Sequence, residues 1–171
     1  MIIIVLLMLS VLSCKDNAPD PNADNWVKLK YKGNTYDFAN VTMEDWSLDL
    51  DGGPGLRAYG ETNLDYDAPG QCCNYYLVLY FKKTKNNTFE PHKINFGIRE
   101  RRAKGSFYVS VYFADLTTGY NLTNFQMDLN QRPPYINGTF NGKLRSPVIK
   151  DASVEIDNGS YRLNLTTVRS Y

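Results

Sequence analysis

Histidine is almost absent: His92 is the single imidazole in 171 residues. Cysteine is scarce as well, with three in all, of which Cys72 and Cys73 are neighbours. That is too little for a tetrahedral zinc set, and no metal or other cofactor is expected. His92, following Pro91, has no nucleophile signature to serve and reads as a surface loop residue. Neither sign of charge prevails, since 19 basic and 18 acidic side chains leave a formal +1. Without a global field, nucleic acid is not an expected partner. Also missing is any stretch of about a dozen residues with apolar groups at helical 3,4 spacing, which removes crossover helices and with them a parallel α/β sheet. No apolar run approaches the roughly 20 residues that a spanning helix needs.

The longest apolar run, residues 2–12, is broken only by Ser10 and leads through Val11, Leu12 and Ser13 to Cys14. Its length suits a secretory signal core. A small residue before a cysteine is similar to the lipobox of bacterial lipoproteins, and the resemblance implies a signal peptide over 1–13 and a lipidated, palmitate-bearing Cys14. Such signals open with a basic residue, whereas Met1 is followed at once by Ile2, so the expectation is a start further upstream or a shortened chain. Residues 14–25 then form a polar, proline-broken tether, with an r.m.s. reach of roughly 18 Å over its 15–25 stretch by random-coil scaling. Cys14, Lys15 and Asp16 also resemble the export signal of Bacteroidetes-type surface lipoproteins, with one acid where that signal has two. The expected location is the outer membrane, lipid-anchored, at the cell surface or on the periplasmic face.

From Trp26 to Tyr171 the chain reads as one domain of short alternating blocks separated by Gly, Asn, Asp and Pro, the pattern of antiparallel β. A first hairpin is predicted over 26–31 and 35–39 about Lys32, Gly33 and Asn34, and a long one over 93–101 and 106–113. A C-terminal hairpin over 154–157 and 160–165 would turn at Asn158 and Gly159, a type I′ dipeptide. That turn sets Ile156 opposite Tyr161 and Val154 opposite Leu163. Further strands are expected at 46–50, 56–62, 74–82, 119–129 and 135–144. About ten strands suit a β-sandwich or a flattened, lipocalin-like barrel.

Strand 74–82 carries large apolar groups on both faces and is expected to be central. Phe107, Val109, Val111 and Phe113 share one parity and are predicted to be core, leaving Tyr108, Ser110 and Tyr112 on the other face. Tyr76 and Tyr80 are candidates to join Tyr108 and Tyr112 in a wet tyrosine ladder able to stack sugars or hold a partner. The plainer reading is that tyrosines favour half-exposed strands.

Tyr135, Ile136, Asn137, Gly138, Thr139, Phe140 and Gly142, with Val154, Ile156, Gly159 and Tyr161, are similar to the ending of small Bacteroidetes lipoproteins of unknown function. That resemblance implies an antiparallel β fold and brings no catalytic residue.

Cys72 and Cys73 are expected to form either a vicinal disulfide, strained because adjacent Cα atoms stand about 3.8 Å apart, or two packed thiols. The Asp49–Asp51 and Asp65–Asp67 pairs lack the ligand count and terminal glutamate of a calcium loop. Gly138 to Lys143 misses phosphate-loop spacing by one residue. Basic runs at Lys82, Lys83 and Lys85, and at Arg99, Arg101, Arg102 and Lys104, read as solvated hairpin ends, with a polyanion site as the sharper alternative. Glu44, Asp45, Glu61 and Glu100 show no spacing that supports paired-acid glycoside hydrolysis.

The expected protein is therefore a non-enzymatic lipoprotein that binds a glycan or a surface protein. The alternatives are an accessory subunit of an outer-membrane assembly and a glycan-acting hydrolase. Cys14→Ala should move the protein from the detergent phase to the aqueous phase in a cloud-point partition; an unchanged partition would remove the lipid anchor.

Overall fold

The computed structural model describes residues 25–38, 41–47, 54–62, 73–101, 107–116 and 124–170. The strands are β1 (Trp26–Tyr31), β2 (Asn34–Phe38), β3 (Thr42–Ser47), β4 (Pro54–Glu61), β5 (Cys73–Lys83) and β6 (Phe89–Arg101). They continue with β7 (Phe107–Asp115), β8 (Gln126–Met127), β9 (Asn130–Arg132), β10 (Tyr135–Arg145), β11 (Ser153–Asn164) and β12 (Val168–Arg169). They form a single curled sheet in the order β12-β3-β4-β5-β6-β7-β10-β11-β1-β2, with β8 and β9 on β10. Every pairing is antiparallel except β12 with β3. The all-β expectation holds, and the architecture is a half-barrel.

Curling follows from the path of the chain. β2 lies at one edge of the sheet and β3 lies next to the other. Three Cα steps of about 3.8 Å keep Phe38 within about 11 Å of Val41, so the edges must approach. Phe38 then packs across the interior on Gly60 of β4. Asn25 fastens the seam: its Nδ2 donates to the Val41 carbonyl at 3.2 Å and to Thr167 Oγ1 at 2.7 Å, while its Oδ1 accepts from Asn164 N at 2.6 Å. At 1% exposure Asn25 belongs to the folded domain rather than to the tether in which the sequence reading placed it.

The concave side is one apolar core, with Phe38, Phe81, Phe96, Phe140 and Tyr161 among its largest members. The Tyr161 hydroxyl donates to the Asp128 carbonyl at 2.7 Å, which satisfies the one polar atom of a fully buried ring.

The first hairpin stands where expected but turns more tightly: Lys32 (φ 50°) and Gly33 (φ 79°) are the two central residues of a type I′ turn, and Asn34, expected in the turn, is paired with Tyr31 at the start of β2. The C-terminal hairpin is not there. Asn158 and Gly159 lie inside the continuous strand β11, where Ser153 to Ile156 pair with Arg145 to Gly142 and Gly159 to Asn164 pair with Phe140 to Tyr135. Asp157 and Asn158 together oppose Asn141 in a bulge, which shifts the buried parity from Val154 and Ile156 to Tyr161 and Leu163. The same parity slip in the sequence looks like a turn. Gly159 is needed for closeness instead, because the Phe140 ring lies where a Cβ would stand.

Three other strands differ from expectation: β3 covers Thr42–Ser47 where 46–50 was expected, with 48–50 outside the described residues. Of the strand expected over 119–129, residues 119–123 lie outside the described residues, and the described remainder holds only the two-residue β8, which pairs with β10 as the following β9 does. β6 starts at Phe89, so His92 is in a strand, and Pro91 is accommodated at the register irregularity between Tyr80 and Phe81.

Gly159→Ala should destabilise the domain by about 1–3 kcal/mol through overpacking against Phe140, read as a lower midpoint in urea; Asn158→Ala, with its side chain exposed in the bulge, should change it far less. Equal effects would restore the turn assignment.

Candidate functional site

The convex face of β3 to β7 carries a second aromatic cluster. In register across the sheet run Thr42, Tyr59, Val78, Asn95 and Phe113, with Glu44, Arg57, Tyr80 and Lys93 to one side and Glu61, Tyr76, Gly97 and Val111 to the other. Alternation turns these side chains outward, because Leu77, Leu79, Ile94, Phe96 and Ile98 of the same strands face the core. Val78 is only 8% exposed, yet it stands outside the core cluster. Its cover comes from this outer layer.

Tyr76 lies flat across the backbone of Gly97, its ring occupying the space where a side chain would begin. Tyr59 stacks on Tyr76 with centroids 6.3 Å apart and an interplanar angle of 26°. The Tyr59 hydroxyl donates to Glu61 Oε2 at 2.7 Å, and Glu61 Oε1 takes the Arg99 guanidinium at 2.6 Å, so both carboxylate oxygens are engaged. At the other end Trp46 meets Tyr80 at 4.5 Å. Arg57 reaches Glu44 Oε2 through Nη2 at 2.5 Å and Nε at 2.7 Å. Asn95 Nδ2 donates to the Tyr80 hydroxyl at 3.2 Å, while the buried Asn95 Oδ1 has no hydrogen-bond partner. Lys93 Nζ sits 5.2 Å from the Phe113 ring and 5.9 Å from that of Tyr80.

The electrostatics follow from this packing. Burial, then the Glu61 hydrogen bond and the Glu61 charge, push the Tyr59 phenol up to about 12. Burial also raises Tyr76 and Tyr80, and it lowers His92, whose ring is 6.3 Å from Trp46. These groups stay neutral at physiological pH, so the face is a wet aromatic surface fringed by two closed ion pairs and by the Lys93 ammonium.

Of the four tyrosines singled out in the sequence, Tyr76 and Tyr80 stand on this face, and Tyr108 and Tyr112 stand on the opposite one. Tyr112 pairs with core residue Phe96 and packs against the core, and Tyr108 pairs with Glu100. The predicted core residues of β7 are the outward ones: Phe107 is 52% exposed and Val109 44%, while Ala114 is the buried residue of the strand. Parity alone misleads in β7, because both of its faces carry apolar or aromatic groups; the partner strand decides, through Ile94, Phe96 and Ile98. Trp46, Tyr59, Arg57, Glu61 and Arg99 were not assigned to a common site from sequence. Gly97, a glycine inside a strand opposite an aromatic position, was the available signal.

The remaining candidates are more dispersed. Cys73, at the start of β5, is disulfide-bonded, and both other cysteines, Cys14 and Cys72, lie outside the described residues. Asp49, Asp51, Asp65 and Asp67 lie outside them too. Asp45 accepts from Ser170 Oγ at 2.8 Å. A shallow hollow of about 520 Å³ lies under loop 146–152, lined among others by Lys143, Arg145, Val148 and Lys150 and by no aromatic side chain. Ser146 Oγ accepts from the backbone of Val148 and Ile149 at 3.3 and 3.0 Å, fixing a loop whose Val148 is 88% exposed.

The chain matches no known family of proteins, no curated protein and no solved structure.

A raised phenol pKa stabilises the fold in full below the unfolded value near 10, and the contribution is lost as pH rises from there through about 12. Removing the Glu61 charge should move the ionisation of Tyr59 back toward 10. In an ultraviolet titration, Glu61→Gln should shift phenolate signal to lower pH, chiefly that of Tyr59 and to a smaller degree that of Tyr76, a change much reduced when Tyr59→Phe is added; superimposable curves would break the Tyr59–Glu61 coupling.

Proposed function

We propose that this protein is a lipid-anchored, non-catalytic binding module that takes its ligand on the convex face of β3 to β7. The observation that carries this reading is Tyr76 laid flat on Gly97, with Tyr59 stacked beside it and held by Glu61 and Arg99. Rings that lie on a sheet offer faces to a ligand, and a tyrosine face combines apolar contact with a polar tip. Glu44 and Glu61, the acids beside the aromatic pairs, are each bridged to an arginine, which suits positioning of a ligand better than proton transfer. The lipid anchor rests on the lipobox-like segment ending at Cys14, and it would hold the domain at the outer membrane, facing outward or toward the periplasm.

A second reading, an accessory subunit of an outer-membrane assembly, draws on one feature: the braced loop 146–152 presents Val148 and Ile149 to solvent. Exposed aliphatic side chains held in a fixed loop are suited to a protein partner.

A glycan array together with an array of envelope proteins tests the leading reading. Tyr76→Ala with Tyr80→Ala should weaken binding at least about tenfold, since stacking contacts are worth about 1–3 kcal/mol each, while the melting temperature moves little. Equal binding by the parent and the double variant would take the ligand off this face. Loss on Val148→Asp instead would favour the accessory-subunit reading.

A further inference from the structure

The convex face holds two groups of the same composition, an aromatic pair beside a glutamate–arginine pair, the first pair of rings near parallel at 26° and the second tilted at 55°. Tyr59 and Tyr76 are stacked beside the Glu61–Arg99 pair, and Trp46 and Tyr80 are in ring contact beside the Glu44–Arg57 pair. Tyr76 and Tyr80 belong to the same strand and the same face, four residues apart, so the two aromatic pairs stand about 13 Å from one another along β5. Val78 lies between them, buried beneath the outer rings.

This inference rests on the reading of the convex face as a ligand surface. We propose that the face is a two-subsite platform for one extended, neutral oligosaccharide chain, stacked at one end on Tyr59 and Tyr76 and at the other on Trp46 and Tyr80. Three properties select that ligand. The separation is wider than a single sugar ring, so one small molecule covers one pair and a chain covers both. Each guanidinium is already closed by its own glutamate and the Lys93 ammonium lies over the Tyr80 and Phe113 rings, so the face offers an acidic chain a single lysine rather than a row of free cations. The same pairs place donors and acceptors side by side at the ring edges, where a sugar's neighbouring hydroxyls can both give and accept hydrogen bonds.

Joining two weak contacts in one ligand raises affinity through effective concentration, provided that the chain is long enough to reach. Calorimetric titration with linear β-1,4-, β-1,3- and α-1,4-linked glucose oligosaccharides of two to seven sugars reads this directly. At least one series should gain about tenfold or more in affinity on passing from the shorter to the longer members. Tyr59→Ala with Tyr76→Ala should abolish the gain yet leave the affinity for the shortest members within about twofold, because Trp46 and Tyr80 still hold them. Trp46→Ala with Tyr80→Ala should do the same from the other end, so the test stands even if one double variant does not fold. Affinity independent of length, or tighter and salt-sensitive binding of a uronic-acid chain, would overturn the two-subsite proposal while leaving a binding face in place. Silence of all three neutral series would overturn it as well; the binding reading itself then stands or falls on the array.

Discussion

Rings lying over strand glycines set much of this structure. Inside the sheet, the Phe140 ring covers Gly159; outside it, the Tyr76 ring covers Gly97. A side chain at either glycine would occupy the space that the ring fills, so each pair is a matched choice at two distant positions. On the concave side the device lets large aromatics approach the sheet closely and fill a core that is short of small side chains. On the convex side it lays a ring flat where an ordinary strand neighbour would make it stand up. One packing rule thus produces both the interior and the surface proposed to bind.

The two sides are nevertheless energetically separate. The core cluster takes in residues of β1 to β7, β10 and β11, but it does not include Val78. Val78 is covered from outside, by the layer that Tyr59, Tyr76 and Tyr80 build. Truncating an outer ring therefore uncovers one valine and leaves the main core intact. A face of this kind can alter its ligand chemistry with little effect on folding, the separation expected where function is carried by a site on a scaffold. The seam supports that separation: Asn25, Val41, Asn164 and Thr167 hold the curled edges together through hydrogen bonds in which none of the platform's rings takes part.

What the sequence made legible was whatever depended on local pattern. The all-β class followed from alternation, the Lys32–Gly33 turn from its chemistry, and the central place of β5 from the apolar groups on both of its faces. Features that depended on a partner strand were not legible. Asn158 and Gly159 have the composition of a turn, and only the Phe140 ring across the ladder explains why Gly159 sits in a strand. The faces of β7 were inverted for the same reason: its own residues are ambiguous, and β6 settles which side is inward. Tyr76 and Tyr80 could be grouped from their spacing on one strand, whereas Trp46 and Tyr59 come from β3 and β4 and reach them only through the register of three strands. Asn25 read as tether because its three hydrogen bonds are all to residues distant in sequence.

That register is also what gives the convex face its repeat. Arg57 is paired across the ladder with both Glu44 and Tyr80, and Glu61 with Tyr76, so each aromatic pair receives an acid and a base from fixed positions on neighbouring strands. Twist rotates successive strands in one direction, so two such groups on a curled sheet are inclined to one another rather than coplanar. A rigid flat ligand would meet one group squarely and miss the other. A chain with rotatable linkages can turn between them, and the interval of about 13 Å along β5 gives it the length in which to do so. Curvature, register and ring-over-glycine packing thus favour the same occupant: a linked series of small units, each with an apolar face and polar edges.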